Sequence, residues 1–475
     1  MKICLFQVKL TYFIDTEAFY IYNESGSFLA SEIIFSDQKS LCFVKKYKAE
    51  RRIKMSIYYV SNAGLDTNDG LTPETAWQTI GKINESIVGG DEVRLRCGDT
   101  FYGRVTPPAG IDPEHPTTFT SYGEGKKPTI SQYMLPKKGS WEKHDENIYK
   151  LDALDTTKYD GNTLSGNSNA GFIKVDGEFK YKKCFLMEEL KENWDFYCDD
   201  QYVYVYLDKS PDEASDDIKI ACNVRSMGFT AHLKVTNIIF KGSGGHGISG
   251  VTGGAYIADC EFRELGGSRL GGLERNGKFN RTRYGNGVEA WGNSHDVTVE
   301  RCKFSDIYDV AITMQGPCTE RNWENCIFRE NVIWNCVQAF EIWSSGERPD
   351  SGFVNCYFEN NVCIDSGYCW GYDARPNKQV STPLLIYGLG CPLCEITVRG
   401  NVISRGREGI IFKSGGYANI PETYNIYDNV ILLEEGRPLV QGGNLEDPDY
   451  VAFEKKLREN NSVYGIDTYA YKSSL

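Results

Sequence analysis

From Lys234 onward short runs of the chain alternate apolar and other residues, and three of them repeat one pattern. Gly287-Val288-Glu289-Ala290-Trp291-Gly292 is followed by Ala311-Ile312-Thr313-Met314-Gln315-Gly316 and then by Ala339-Phe340-Glu341-Ile342-Trp343-Ser344. Alternation at period two is the mark of a half-buried strand. It predicts that Val288/Ala290, Ile312/Met314 and Phe340/Ile342 point inward. Glu289/Trp291, Thr313/Gln315 and Glu341/Trp343 then share one outer face.

A longer period overlies the short one. Asp259-Cys260-Glu261-Phe262, Arg301-Cys302-Lys303-Phe304, Asn325-Cys326-Ile327-Phe328 and Asn355-Cys356-Tyr357-Phe358 read as one motif, spaced 42, 24 and 30 residues apart. Asn331-Val332, Asn361-Val362, Asn401-Val402 and Asn429-Val430 form a second column. Periods in this range mark a solenoid of stacked rungs. The cysteines are expected to pack in its interior as small apolar side chains. The asparagines are expected to bond along its turns through stacked amides. Extra residues between copies become loops, the longest being Gly266–Tyr284, rich in Arg and Lys.

Upstream, Ile57–Val60 reads as a strand and Ser61–Gly70 as a turn cluster. Thr72 and Pro73 predict the N-cap and first position of a helix running to about Val88. Strands are expected around Glu92–Arg96, Phe101–Val105 and Thr117–Tyr122. The boundaries that follow are a leader or extension over 1–54, a cap and first rungs over 55–131, a β-rich insertion over 132–223, a coil with the groove over 224–440, and a C-terminal cap over 441–475.

Tyr58-Tyr59-Val60-Ser61, Asp69-Gly70, Pro73-Glu74-Thr75-Ala76-Trp77, Gly90-Asp91-Glu92-Val93 and Ser121-Tyr122-Gly123-Glu124-Gly125 resemble the opening of right-handed parallel β-helix proteins of the pectate-lyase-like superfamily. The resemblance spans residues 57 to about 465. It implies an all-β right-handed parallel β-helix whose N-terminal end is plugged by a helix, and a carbohydrate-active enzyme. Gly244-Gly245-His246-Gly247-Ile248-Ser249 and Ile411-Phe412-Lys413-Ser414-Gly415-Gly416 also resemble fragments of polygalacturonases of that superfamily. The aspartate motifs of those enzymes are missing and the order differs, so their mechanism is not carried over.

Composition narrows the partners. A net charge of −13 disfavours nucleic acid and anionic membranes. It also weighs against a polyuronate substrate unless a local basic patch overrides it. No apolar run approaches the ~20 residues of a membrane span. Residues 1–54 have the pieces of a signal peptide without the order, since Lys9 and Asp15 interrupt the apolar run. Glu50-Arg51-Arg52-Ile53-Lys54 can be encoded by a purine-rich ribosome-binding sequence, which makes Met55 a candidate start. A cytoplasmic location is expected, with the 16 Cys reduced.

The outer face carries the candidate chemistry. Glycoside hydrolysis needs two carboxyl groups, ~5–5.5 Å apart for retention and ~6.5–9.5 Å apart for inversion. Glu341 and Glu289 are the leading acid/base pair, with Asp373 and Asp309 in reserve. Trp291, Trp343, Trp370 and Tyr372 are expected to stack on sugar rings. Arg375, Arg283, His246, Gln315 and Lys413 complete the expected substrate contacts. The leading expectation is a glycoside hydrolase trimming imported oligosaccharides without a cofactor. The alternative is a polysaccharide lyase acting on a uronate glycan, with Arg283, Arg375 or Lys413 as base and Glu289, Glu341 and Asp373 as Ca²⁺ ligands. A third is a non-catalytic glycan-binding coil. Cys391-Pro392-Leu393-Cys394 stands alone and lacks the second pair of a zinc site.

Overall fold

The computed structural model describes residues 55–467, except 162–166, 273, 276, 376–379, 390–392, 414–423 and 443. Before Met55 it gives only three short strands, Phe19–Tyr22, Phe28–Glu32 and Lys45–Lys46, joined antiparallel in a unit of their own. Cys391 and Ser414–Gly416 lie outside the described residues.

Ser56–Leu475 form the second unit, built around a parallel coil. Among the described residues its long sheets have eight, eleven and ten strands, each strand pairing in parallel with its equivalent one rung away. One rung shows the plan. His295–Glu300 lies in the eleven-stranded sheet, Lys303–Ile307 in the ten-stranded sheet and Val310–Gly316 in the eight-stranded sheet. The first turn is two residues, Arg301-Cys302, and its leading residue is left-handed in successive rungs: Asp259, Arg301, Glu330, Asn360, Gly400 and Asp428 have φ between 52° and 66°. Asn, Asp and Gly tolerate that conformation best and fill four of the six places.

The second turn residue builds a ladder. Asn331 donates its backbone N–H and its amide to Asn361 Oδ1, both at 2.9 Å. Asn361 does the same to Asn401, Asn401 to Asn429, and Asn429 to Asn461. All five are buried. Asn461, before the last rung, is a member the spacing did not reveal.

The cysteine motif divides in two. Cys260 and Cys302 head this same turn column, and Cys302 N–H donates to Asn331. Cys326 and Cys356 follow left-handed Asn325 and Asn355 inside the neighbouring sheet, where Ile327 pairs with Thr298. A Cys-x-Phe sequence suits either place, because both need a small buried residue after a left-handed one. All four cysteines are buried, and stacked rings such as Phe240, Phe262 and Phe304 fill the interior beside them.

The predicted helix from Thr72 is corrected. Thr72–Thr75 is a turn, and Trp77 runs extended, exchanging hydrogen bonds with Tyr59 and Ser61. The helix is Ile80–Ser86, capped by Thr79, with Asp66 accepting from Gln78 and Thr79. Trp77, Ile80, Ile83 and Ile87 plug the coil's end. At the other end Tyr450, Phe453 and Leu457 of helix Pro448–Asn460 join the same core.

The described residues of 132–223 form two antiparallel sheets with their own apolar core. Buried Arg283 ties them to the coil, donating to the carbonyls of Gly171, Tyr181, Gly267 and Ala374. Glu264 adds a second tie, accepting from Tyr133 and Lys174.

Candidate active site

The eight-stranded sheet carries the repeated pattern in register. Val288 pairs with Ile312 and Ile312 with Phe340, all inward and buried. The outward column runs Ser249, Glu289, Thr313, Glu341, Leu385 and Phe412. Trp291, Gln315 and Trp343 form the parallel column two residues on. Trp291 is 39% exposed, and its indole lies against the backbone of Gly316, where any side chain would strike the ring.

Glu341 and Glu289 therefore stand two rungs apart, ~9–10 Å between backbones. Their surroundings differ. Glu341 is ringed by protein with only part of its surface open, and accepts from Thr313 Oγ1 at 3.1 Å. Burial, then the negative charges of Asp309 and Glu289, push its carboxyl from 4.5 to about 8, against the opposing effects of Thr313 and Arg375. It is a protonated acid at neutral pH. Glu289 is buried and accepts from Asn286 Nδ2 at 2.9 Å and from Gln315.

His246 Nε2 faces Glu289 at 3.5 Å. The Asn286 backbone N–H donates to His246 Nδ1 at 3.0 Å, so neutral His246 carries its proton on Nε2, toward the carboxylate. Burial holds the imidazole below its usual range, against the pull of Glu289 and Asp309. Asp309 lines a cavity of about 460 Å³ together with Glu341, Gln338 and Arg375. Arg375 donates to Asp309 and, at 3.3 Å, to Gln338, and lies over the Tyr308 ring. A second cavity of about 590 Å³ lies beside Glu289, His246 and Trp291.

The structure thus groups Glu341, Glu289, Asp309, His246, Gln315, Arg375, Trp291 and Trp343 along one groove. It removes five expected members. Asp373 sits on the short helix Trp370–Asp373 and pairs with Arg407 at 3.3 Å, while Leu385 takes the place beside Glu341. Trp370 is buried, stacked on Phe179, and donates to the Asp306 carbonyl. Tyr372 is buried and donates to Glu408. Arg283 is committed to four carbonyls, although its edge lines the Glu341 cavity. Lys413 stands in the inward column, level with Ile386 and Ile342. Glu289, Glu341 and Asp373 do not converge, and among the described residues no three His, Cys, Asp or Glu side chains form a metal cage. The residues present do not fit the calcium that a lyase of this kind would bring.

Sequence reasoning missed Asn286, Gln338 and Tyr308. Asn286 and Gln338 stand three residues before their glutamates, a spacing that recurs in the first and third copies of the pattern and is visible once the copies are aligned.

A family model described as a right handed beta helix region matches residues 224–380. The chain is a right-handed parallel β-helix. No curated protein matches it. Among solved structures this β-helix is similar to the complex of XylC with xylose, at 11% identity and a TM-score of 0.48, over 80% of this chain and 69% of that one. It is similar also to a glycoside hydrolase at 12% identity and TM-score 0.43, over 79% and 96% of the two chains. An alginate lyase from Paenibacillus sp. str. FPU-7 follows at 10% identity and TM-score 0.37, over 77% and 96%. At such identities the likeness concerns the fold alone.

Proposed function

We propose that this β-helix is a carbohydrate-active enzyme, a glycoside hydrolase working with inversion. What supports the reading is a carboxylic acid kept protonated at neutral pH in the same outward column as a hydrogen-bonded carboxylate, two rungs away, in a groove edged by Trp291 and Trp343. Glu341 donates its proton to the leaving glycosidic oxygen. Glu289, held by Asn286, Gln315 and His246, accepts a proton from water attacking the opposite face of the sugar. A backbone separation of ~9–10 Å lets the two side chains reach the ~6.5–9.5 Å span that leaves room for that water. Asp309 acts through its charge, which keeps Glu341 protonated until the substrate arrives. The indoles stack on pyranose faces.

The test is a panel of aryl glycosides, with the anomeric configuration of the first-formed sugar read by NMR. Inverted product supports the pair Glu341/Glu289. Retained configuration would move the second role to a nearer carboxylate, with Asp309, in the same cavity as Glu341, as the candidate. An unsaturated product absorbing in the ultraviolet would replace hydrolysis by elimination.

A further inference from the structure

We propose that the cavity beside Glu289 is an anion subsite, in which Arg104 and Arg225 hold a carboxylate or sulfate carried by the glycan. This rests on reading the groove as a glycan site and adds the class of substrate it takes.

Two positive charges stand there without an acidic partner among the described residues. Both guanidinium groups border the 590 Å³ cavity that also contains His246, Tyr284, Glu289 and Trp291. Among the described residues neither arginine pairs with a carboxylate; Arg225 donates only to the Ser249 carbonyl, at 3.1 Å. Glu289 is the one acid among the residues lining this cavity, and it is already occupied by Asn286, Gln315 and His246. The two cations press on each other: burial and then the charge of Arg225 hold Arg104 below its ordinary range. Arg225 likewise opposes protonation of His246. Like charges kept together in a chain of net charge −13 are relieved by an anion, and planar guanidinium forks match carboxylate and sulfate oxygens.

Position agrees. Met227, two residues after Arg225, pairs with Ile248, and Ile248 with Val288. The Arg225 backbone is therefore two rungs from Glu289 on the side away from Glu341, and its guanidinium, bonded to the Ser249 carbonyl, reaches to within one rung. A rung is about as long as a sugar ring, so the anionic group belongs to a unit beyond the one that Glu289 contacts. Exposed Trp291 lines the same cavity and offers it a stacking face.

Calorimetry on the full chain tests this with glucuronate, glucose 6-sulfate and glucose. The charged probes should bind at least ~10-fold tighter than glucose, as expected for charge-assisted hydrogen bonds, and the preference should shrink in high salt. Arg104→Ala/Arg225→Ala should reduce the preference to about one, since both residues are on the surface and their loss leaves the core intact; Arg225→Lys should fall between. Preference for glucuronate over glucose 6-sulfate would assign a uronate, and the reverse a sulfated sugar. Equal binding of charged and neutral probes, no binding of either charged probe, or a preference that survives the double substitution would overturn the inference. Glu341→Gln should keep the preference. Charge preference without hydrolysis of any glycoside would remove the hydrolase reading alone, and hydrolysis of neutral glycosides without charge preference would remove this one alone.

Discussion

Glu341→Gln separates a catalytic acid from an ordinary groove charge by two independent measurements. The substitution keeps shape and volume and removes the proton and the charge. In the folded protein the carboxyl titrates at about 8 instead of 4.5. Between those values the folded chain holds a proton that the unfolded chain releases. The stability contributed by this group is therefore complete below about pH 4.5 and is lost as pH rises through 8. At ~1.36 kcal/mol per pH unit the upper limit of that loss is ~5 kcal/mol. Urea unfolding at pH 5, 7 and 9 should show the wild type weakening with pH relative to Glu341→Gln, with the two nearly equal at pH 5. Initial rates on the best glycoside should fall ~10²–10⁴-fold in the variant, and the wild-type rate should decline above about pH 8 as the acid is lost. Wild-type-like turnover, or stability curves that run parallel from pH 5 to 9, would refute the reasoning.

Asn361→Ala should cost ~3–5 kcal/mol in urea unfolding, because Asn331, Phe328 and Asn401 all lose a buried partner; a cost below ~1 kcal/mol would mean the ladder is not a main support of the coil. Arg283→Met keeps the apolar stem but strips four carbonyls of their donor. Hydrogen exchange should then speed up in 132–223 while the asparagine turns stay protected, with a stability loss of ~2–4 kcal/mol. Asp373→Asn should leave turnover within ~2-fold and stability within ~0.5 kcal/mol, since it removes only a surface pair with Arg407; a large fall in turnover would return Asp373 to the groove.

By itself the sequence determined what strand geometry dictates locally. A period of two fixes which residues share a face, so the inward set Val288 to Ile342 and the outward columns of Glu289 and Trp291 were legible before any rung was stacked. Recurrence of Asn before Val likewise announced a turn ladder, because a left-handed turn followed by a buried amide repeats itself one rung on. Tertiary structure decided whatever depends on neighbours distant in the chain. The cysteine motif split because a turn and a left-handed kink inside a strand accept the same residues, and only register tells them apart. Trp77 was drawn out of helix by backbone bonds to Tyr59 and Ser61. Trp370, Tyr372 and Asp373 lie between rungs, where no period constrains direction, and packing against Phe179, Glu408 and Arg407 turned them from the groove. The proton on Glu341 is the clearest case. Burial within the fold and the charge of Asp309, brought alongside from another rung, hold it there, and neither is written in the strand that carries Glu341.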